Sequence, residues 1–433
     1  MKQLRMILLI VLLSVCLFAT SVMASGFGVF TQGASAMGQA NAVVAHSAGT
    51  SSVYFNPALL ADGKEGRTIE LGLTAIYADR SINLDSGGTE ENRDNWNFPF
   101  NVYYSCKIND RWSVGFGLYT PFGLSTKYDD AYAGRYIAYA GEIKTLNINP
   151  VLAYRVNEKL SIAVGLDIMY LDATLKNKIN QNAVVTMLTA TPTNGFDDID
   201  QKFSGEGWGH GANLGLVYKI TDNLSFGATY RTPVDIAIDG RATFNNVDPS
   251  IAPFFSSAAG GADLRMPAQS SAGLAYKISP DFIIEAGVRW EDWESTNELK
   301  IEFDTPILGQ NSSVLPRDWT ATWAYNLGGH YQLNESFALN AGYFFGENAI
   351  PSSSFEPMIP DADAHLFTLG CEWLLRNWQI AVAFGYEMHK ERDKNNDLGD
   401  SIGTLVMGAP VSTAQGQYNS DLYLLGLSLG YKF

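Results

Sequence analysis

The chain has 433 residues, a formal net charge of −16, 12% aromatic residues and three cysteines. An acidic chain of this kind lacks the clustered cations that a phosphate backbone demands, so no nucleic-acid partner is expected. Its length suggests about three domains, but no Pro/Gly/Ser linker divides it, and barrels run this long as one unit.

Residues 1–24 begin with Lys2 and Arg5, continue through an apolar run from Met6 to Phe18, and end in Val22-Met23-Ala24. That order is a secretory signal with a small-residue cleavage site. The apolar run falls short of the ~20 residues a spanning helix needs. Cys16 follows Val15 rather than a small residue, so lipidation is rejected. Loss of the leader's two cations takes the charge to −18.

Residues 25–62 are rich in small residues, nearly uncharged, and contain Asn56-Pro57-Ala58. This stretch has neither strand nor amphipathic-helix periodicity, and the expectation is a hatch that plugs the lumen of a barrel formed by residues 63–433.

From Thr68 onward apolar and polar residues alternate with period two about fourteen times. Strands are expected over 68–77, 98–107, 112–119, 143–156, 160–175, 205–219 and 224–240. The second half continues over 264–278, 282–303, 319–331, 337–347, 363–375, 378–390 and 420–433. Tight connections such as Asn109-Asp110-Arg111 and Asn157-Glu158-Lys159 alternate with long ones such as 176–204 and 391–419. Short turns at one end, long loops at the other and an even strand count define an all-β membrane protein, a fourteen-stranded antiparallel transmembrane β-barrel of the bacterial outer membrane.

The faces exclude a soluble sandwich. Tyr423, Leu425, Leu427, Leu429, Tyr431 and Phe433 form one apolar face, and the same phase places Asp167, Arg231, Glu285, Arg289 and Glu372 on the opposite face of their strands. A charge facing lipid at midplane costs about 2–4 kcal/mol, so the bilayer enforces this segregation. The ending on Phe433 is similar to the signal by which such barrels engage their assembly machinery. Cys106 and Cys371 lie on different expected strands and read as small apolar side chains.

Several blocks together carry a family resemblance: GFGVF from Gly26, SAMGQA from Ser35, FNPALL from Phe55, TPFGLSTKYDD from Thr120, and NINPVLAYRVNEKLSIAVGLD from Asn147. In this order, before this ending, they resemble the long-chain fatty acid transporters of the outer membrane (OmpP1/FadL/TodX), a family that includes toluene transporters. The resemblance covers essentially the whole mature chain. It implies a hydrophobic cargo that leaves sideways into the membrane through a gap at a kinked third strand. Here that strand is 112–119, whose Gly115 and Gly117 are the lateral-gate candidates, since glycine in a strand often marks a bend.

The substrate candidates follow from this picture. Phe27, Val29 and Phe30 would supply apolar wall from the hatch, with Asn56, Pro57 and Ala58 fixing the hatch near the strand gap. Met187, Leu188, Phe254 and Phe255, with Ile251 and Pro253, are loop apolar residues suited to an external landing site. Arg231 and Arg289 are candidate partners for a carboxylate head group, although Glu285, Glu291 and Glu372 could pair with them instead. Lipopolysaccharide and the bilayer are the expected surroundings. No cofactor or metal is expected: Asp197-Asp198-Ile199-Asp200 lacks calcium-loop spacing. An enzyme is not expected either, because His46, His210, His330, His365 and His389 sit in no nucleophile or ligand motif. The alternative to be tested is a general porin for hydrophilic solutes, which would have an open lumen.

Overall fold

The computed structural model describes residues 26–63, 66–296, 298–399, 404, 408 and 412–433. The expected leader, residues 1–24 with Cys16, lies outside them. Among the described residues fourteen strands span the wall. They are β1 (Gly66–Leu84), β2 (Phe100–Lys107), β3 (Trp112–Tyr119, resumed as Gly123–Lys127), β4 (Ala140–Arg155), β5 (Leu160–Ile179), β6 (Ile199–Lys219) and β7 (Leu224–Arg231, resumed as Val234–Asn245). The second half contains β8 (Ala258–Met266, resumed as Gln269–Ser279), β9 (Phe282–Glu291), β10 (Thr322–Asn334), β11 (Phe337–Gly346), β12 (Ala364–Leu375), β13 (Trp378–His389) and β14 (Gly416–Lys432).

Each strand pairs antiparallel with its neighbour. The cylinder closes where β1 meets β14, with Thr68 opposite Lys432 through to Leu84 opposite Gly416. Closure is obligatory in lipid, where an open edge would leave N–H and C=O groups without partners. β5 and β6 have 20 and 21 residues, about twice the 9–11 needed to cross. Their upper halves therefore rise above the bilayer and carry the long loops.

The alternation is as the period predicts. On β14, Leu422 and Leu424 are buried inward while Leu425 and Leu427 are 55% and 53% exposed. Outward aromatics gather at two levels, where their amphipathic rings suit the interface. The periplasmic level includes Trp112 against Tyr154 and Trp378 against Tyr431. The outer level includes Tyr77 against Trp96 and Tyr170 against Trp208. Cys106 and Cys371 are free thiols on β2 and β12.

Two expected strands are less regular than their patterns. The 224–240 run breaks at Thr232-Pro233, where proline lacks the N–H the ladder needs. The 282–303 run is interrupted by a 3₁₀ turn at Trp293–Ser295 before resuming as Glu298–Ile307. Residues 26–62 lie within the cylinder, almost all buried, as short helices at Ala34–Gly38 and Ser52–Phe55 and a 3₁₀ helix at Pro57–Asp62.

Leu427→Arg, which puts a cation on the lipid face, should cost about 2–4 kcal/mol in urea-dependent folding into liposomes. A cost near zero would mean that this face meets water.

Candidate functional site

The segment inside the barrel has little regular helix, so many of its N–H groups need outside partners. The wall supplies carboxylates. Glu285 on β9, fully buried, accepts from the consecutive N–H groups of Val44 (2.5 Å), Ala45 (3.0 Å) and His46 (3.0 Å), and contacts His46 Nδ1 at 2.7 Å. Glu372 on β12 accepts from the Ser35 hydroxyl (2.5 Å) and is held by Asn340 and Gln379. Glu70 on β1 accepts from the Thr50 N–H at 3.1 Å. Three lumenal acids thus grip the plug by its backbone and by Ser35; the strand pattern had picked out Glu285 and Glu372, and Glu70 is added by the structure.

Asn56 is the pivot of the Asn-Pro-Ala motif. Its Nδ2 donates to the carbonyls of Val44 (2.7 Å) and Leu216 on β6 (3.0 Å), while its Oδ1 accepts from Ala58 N–H (3.1 Å) and caps the 3₁₀ helix. Pro57 starts that helix, where a missing donor costs nothing. A Cβ at Gly215 would lie 2.5 Å from Asn56 Oδ1, so the motif docks only because β6 has glycine there. The motif is expected to fix the hatch near the third-strand gap; its side-chain hydrogen bond to the wall is to β6, and Leu60, just after it, abuts Gly115 of β3.

The gap itself also differs in position from expectation. Gly115 and Gly117 lie in an uninterrupted ladder, opposite Ser105 and Tyr103 on one side and Val151 and Asn149 on the other. A Cβ at Gly115 would approach Val53 and Leu60 of the plug within 2.8 Å. These glycines make room for the plug. The break comes at Thr120-Pro121-Phe122, where three residues face two between the pairs Tyr119–Asn147 and Gly123–Lys144. On the other side the β2 ladder ends at Asn101 opposite Tyr119.

The N-terminal tail crosses this break. Val29 N–H donates to the Pro121 carbonyl (2.8 Å), Gly123 N–H to the Phe27 carbonyl (2.9 Å), and Gln32 Nε2 to the Thr120 carbonyl (2.7 Å). The Phe27 ring sits in an aromatic box, with centroids 4.8 Å from Trp293 and 6.0 Å from both Phe122 and Trp319.

Two regions flank the tail. On one side Phe30, Tyr54 and Phe55 share a polar chamber with Arg231 and Arg289. Arg231 pairs with Asp167 at 2.5 Å and donates to the Tyr54 carbonyl at 3.0 Å. Arg289 pairs with Glu291 at 2.8 Å and lies 4.2 Å over the Phe30 ring. Asp167, the partner of Arg231, had been read from its strand phase as lumenal but not as the group that neutralises that arginine.

On the other side an apolar cavity runs from Phe27 and Trp319 up through Leu264 and Leu299 to Leu175, Phe203 and Ile301. Those last three residues also line an outer groove with Tyr136, Ile137 and Phe303. Groove and cavity therefore share a wall, and sequence reasoning missed both. The available signal was the excess length of β5 and β6, whose inward apolar residues continue above the membrane. The loop candidates divide. Phe255 and Ile251 are buried in a loop core, whereas Phe254, Met187 and Leu188 are exposed and lie outside the groove's lining.

In the extracellular cap, Lys394 donates to the carbonyls of Asn396 and Leu398 and to Asn396 Oδ1, and burial pushes its ammonium pKa down to about 8. Asp198 pairs with Arg135 and Asp200 accepts from Tyr139, so the acidic run is engaged in ordinary contacts.

A closed antiparallel barrel with an internal plug, a broken third strand and an apolar cavity beside a groove in the loops defines a transport protein of the outer membrane. The chain belongs to the family described as outer membrane protein transport protein (OMPP1/FadL/TodX), whose model matches residues 15–433. It is 25% identical over 414 residues to the long-chain fatty acid transport protein of Escherichia coli O6:H1, covering 88% of this chain and 90% of that one. It is 24% identical to outer membrane protein P1 of Haemophilus influenzae, with 95% of each chain covered. Among solved structures, a Pseudomonas aeruginosa FadL homologue superimposes with a TM-score of 0.82 at 18% identity, over 94% of this chain and all of that one. The P. putida toluene transporter TodX gives 0.70 at 18% identity, over 93% and 98%.

Glu285→Ala removes acceptors for three backbone N–H groups, and hydrogen bonds to charged groups contribute about 1.5–3 kcal/mol each. The expected outcome is protease cleavage within residues 26–62 while the barrel keeps its heat-dependent gel mobility. An uncut plug would show that Glu285 does not hold it.

Proposed function

We propose that this chain carries hydrophobic compounds across the outer membrane. Cargo lands in the loop groove, enters the apolar cavity, displaces the tail at Phe27 and leaves sideways through the break in β3. The observation that supports this best is adjacency: groove and cavity have the lining residues Leu175, Phe203 and Ile301 in common, and the cavity is also lined by Phe27, whose backbone bonds across the break. Residues 25–62 act as the hatch after removal of a signal at residues 1–24, and residues 63–433 form the wall. A relative named as a long-chain fatty acid transport protein and a structural neighbour titled a toluene transporter fit the same cargo range.

The energetics require a moving wall. Each buried methylene contributes about 0.8 kcal/mol, so a chain of roughly sixteen carbons gains on the order of 10 kcal/mol before costs. Binding that strong is released only if the pocket changes shape. The tail is suited to this: its hold on β3 is a few discrete bonds, whereas the wall is a continuous ladder.

The polar chamber has a lesser role in this reading. Arg231 and Arg289 are neutralised by Asp167 and Glu291 and sit apart from the apolar cavity, so they brace the plug from the opposite side. Phe254, Met187 and Leu188 remain candidates for first contact beside the groove, within a surface that faces lipopolysaccharide. The last strand, ending on Phe433, is the segment offered to the barrel assembly machinery.

The double change Phe203→Asp, Ile301→Asp puts charge at the shared wall. It should cut uptake of a labelled fatty acid or alkylbenzene at least about tenfold in cells lacking their own transporter, with folding unchanged, because desolvating a carboxylate costs several kcal/mol. Undiminished uptake would overturn this route. Replacing Asn56 and Pro57 with alanine should also lower uptake, by loosening the hatch from β6. A steady large conductance of the wild-type protein in planar bilayers would favour the hydrophilic porin instead.

A further inference from the structure

The lipid-facing wall is not uniformly convex. On the periplasmic half of β3 to β7 it carries a groove of about 640 Å³, walled by Trp112, Tyr154, Ile162, Val164, Leu214 and Tyr230. The dent forms where the smaller Ala163, Gly215 and Ala228 stand between these side chains. Its capacity falls within the roughly 300–1,000 Å³ of ordinary ligand sites. The lining is almost wholly apolar and lies on the face that the bilayer covers, so hydrocarbon fills it rather than water. Trp112 adjoins the periplasmic turn Asn109-Asp110-Arg111, whereas Tyr230 lies six residues along β7 from Leu224. At ~3.3 Å per residue and a tilt of ~40° the groove climbs ~15 Å, the hydrocarbon depth of one leaflet.

The aqueous end of the groove carries a cation. Arg111 donates through Nη1 to the Tyr154 hydroxyl at 3.5 Å, and the Tyr154 and Trp112 rings lie 4.4 Å apart. Nearby on the rim Arg155 and Lys219 are both committed to Asp62, and Lys159 shares its turn with Glu158. Asp110 adjoins Arg111 in sequence, yet among the described residues Arg111 forms no ion pair. We propose that this groove binds one anionic phospholipid of the periplasmic leaflet, an acyl chain lying between Trp112 and Tyr230 and the phosphate meeting Arg111. A guanidinium fork matches phosphate oxygens, and Tyr154 holds that fork at the groove's mouth. A zwitterionic head group would bring a second cation beside Arg111, whereas phosphatidylglycerol brings none. The floor of the groove is the outer side of the hatch anchor. Leu216, on its lining, gives its carbonyl to Asn56 Nδ2 at 3.0 Å, and a Cβ at Gly215 would lie 2.5 Å from Asn56 Oδ1. The bound chain thus lies one strand's thickness from the Asn-Pro-Ala motif and steadies the stretch of β6 that receives it.

The test offers full-length protein in detergent an equimolar mixture of phosphatidylglycerol and phosphatidylcholine and counts retained lipids by native mass spectrometry. The wild type should keep one lipid, phosphatidylglycerol over phosphatidylcholine by at least fivefold. Arg111→Gln should lower that preference to below twofold. Arg376→Gln, in the periplasmic turn between β12 and β13, should leave it unchanged. Val164→Trp fills the groove with an apolar ring and should cut retention of either lipid at least fivefold. Heat-dependent gel mobility checks that each barrel has formed. No retained lipid, equal retention of the two lipids by the wild type, or a preference that survives Arg111→Gln would overturn the site. So would an equal loss in Arg376→Gln, which would make the effect one of rim charge in general. One-for-one displacement of the lipid by dodecylbenzene would also overturn it, by making the groove a place for cargo.

Discussion

A backbone amide without a partner is costly in hydrocarbon, and the whole architecture follows from meeting that demand twice. In the wall the demand closes the sheet, so that β14 must return to β1 along its full length. Inside, it falls on a plug that has little regular helix and pairs only part of its N–H groups within itself. There the wall answers with side chains: Glu285 takes three consecutive amides, Glu70 takes Thr50, and Ser428 accepts from Ala34. The two solutions have different mechanical consequences. A ladder of paired strands yields only as a whole, whereas a plug held at a few points can let go of one without losing the rest.

The same demand explains the break in β3. Between Tyr119 and Gly123 the wall gives up its regular pairing, and the tail takes over through Val29, Phe27 and Gln32. A gap in a membrane wall is tolerable only while something pairs its exposed groups, and here the partner is the segment that the apolar cavity ends on. Lumenal charges are arranged by the complementary rule, that a buried charge needs its counter-ion. Arg231 with Asp167 and Arg289 with Glu291 cancel outside the cavity's lining, and Arg317, the charged residue on that lining, pairs with Glu356.

Much of this was legible in the chain. Lipid on one side and water or protein on the other impose a strict two-residue period, so strand positions and faces could be read from Thr68 to Phe433. Where the pattern failed, tertiary breaks were responsible: Pro233 in β7 and the turn at Trp293–Ser295 after β9. The plug was legible as composition, since small residues are what a crowded lumen admits. The glycines of β3 were read as bends because a strand viewed alone shows only their backbone freedom. Their actual partners, Val53 and Leu60, come from another part of the chain.

By itself the sequence determined the barrel, its strand count, its facing and the presence of an inserted leading segment, because local periodicity encodes which side of a strand meets lipid. Only the tertiary structure decided where the wall's pairing breaks, which carboxylates hold the plug and which residues the loop groove shares with the inner cavity. Those depend on groups hundreds of residues apart, such as Glu285 and Val44, separated by 241 positions. Register and closure bring such pairs together, and no local pattern records either.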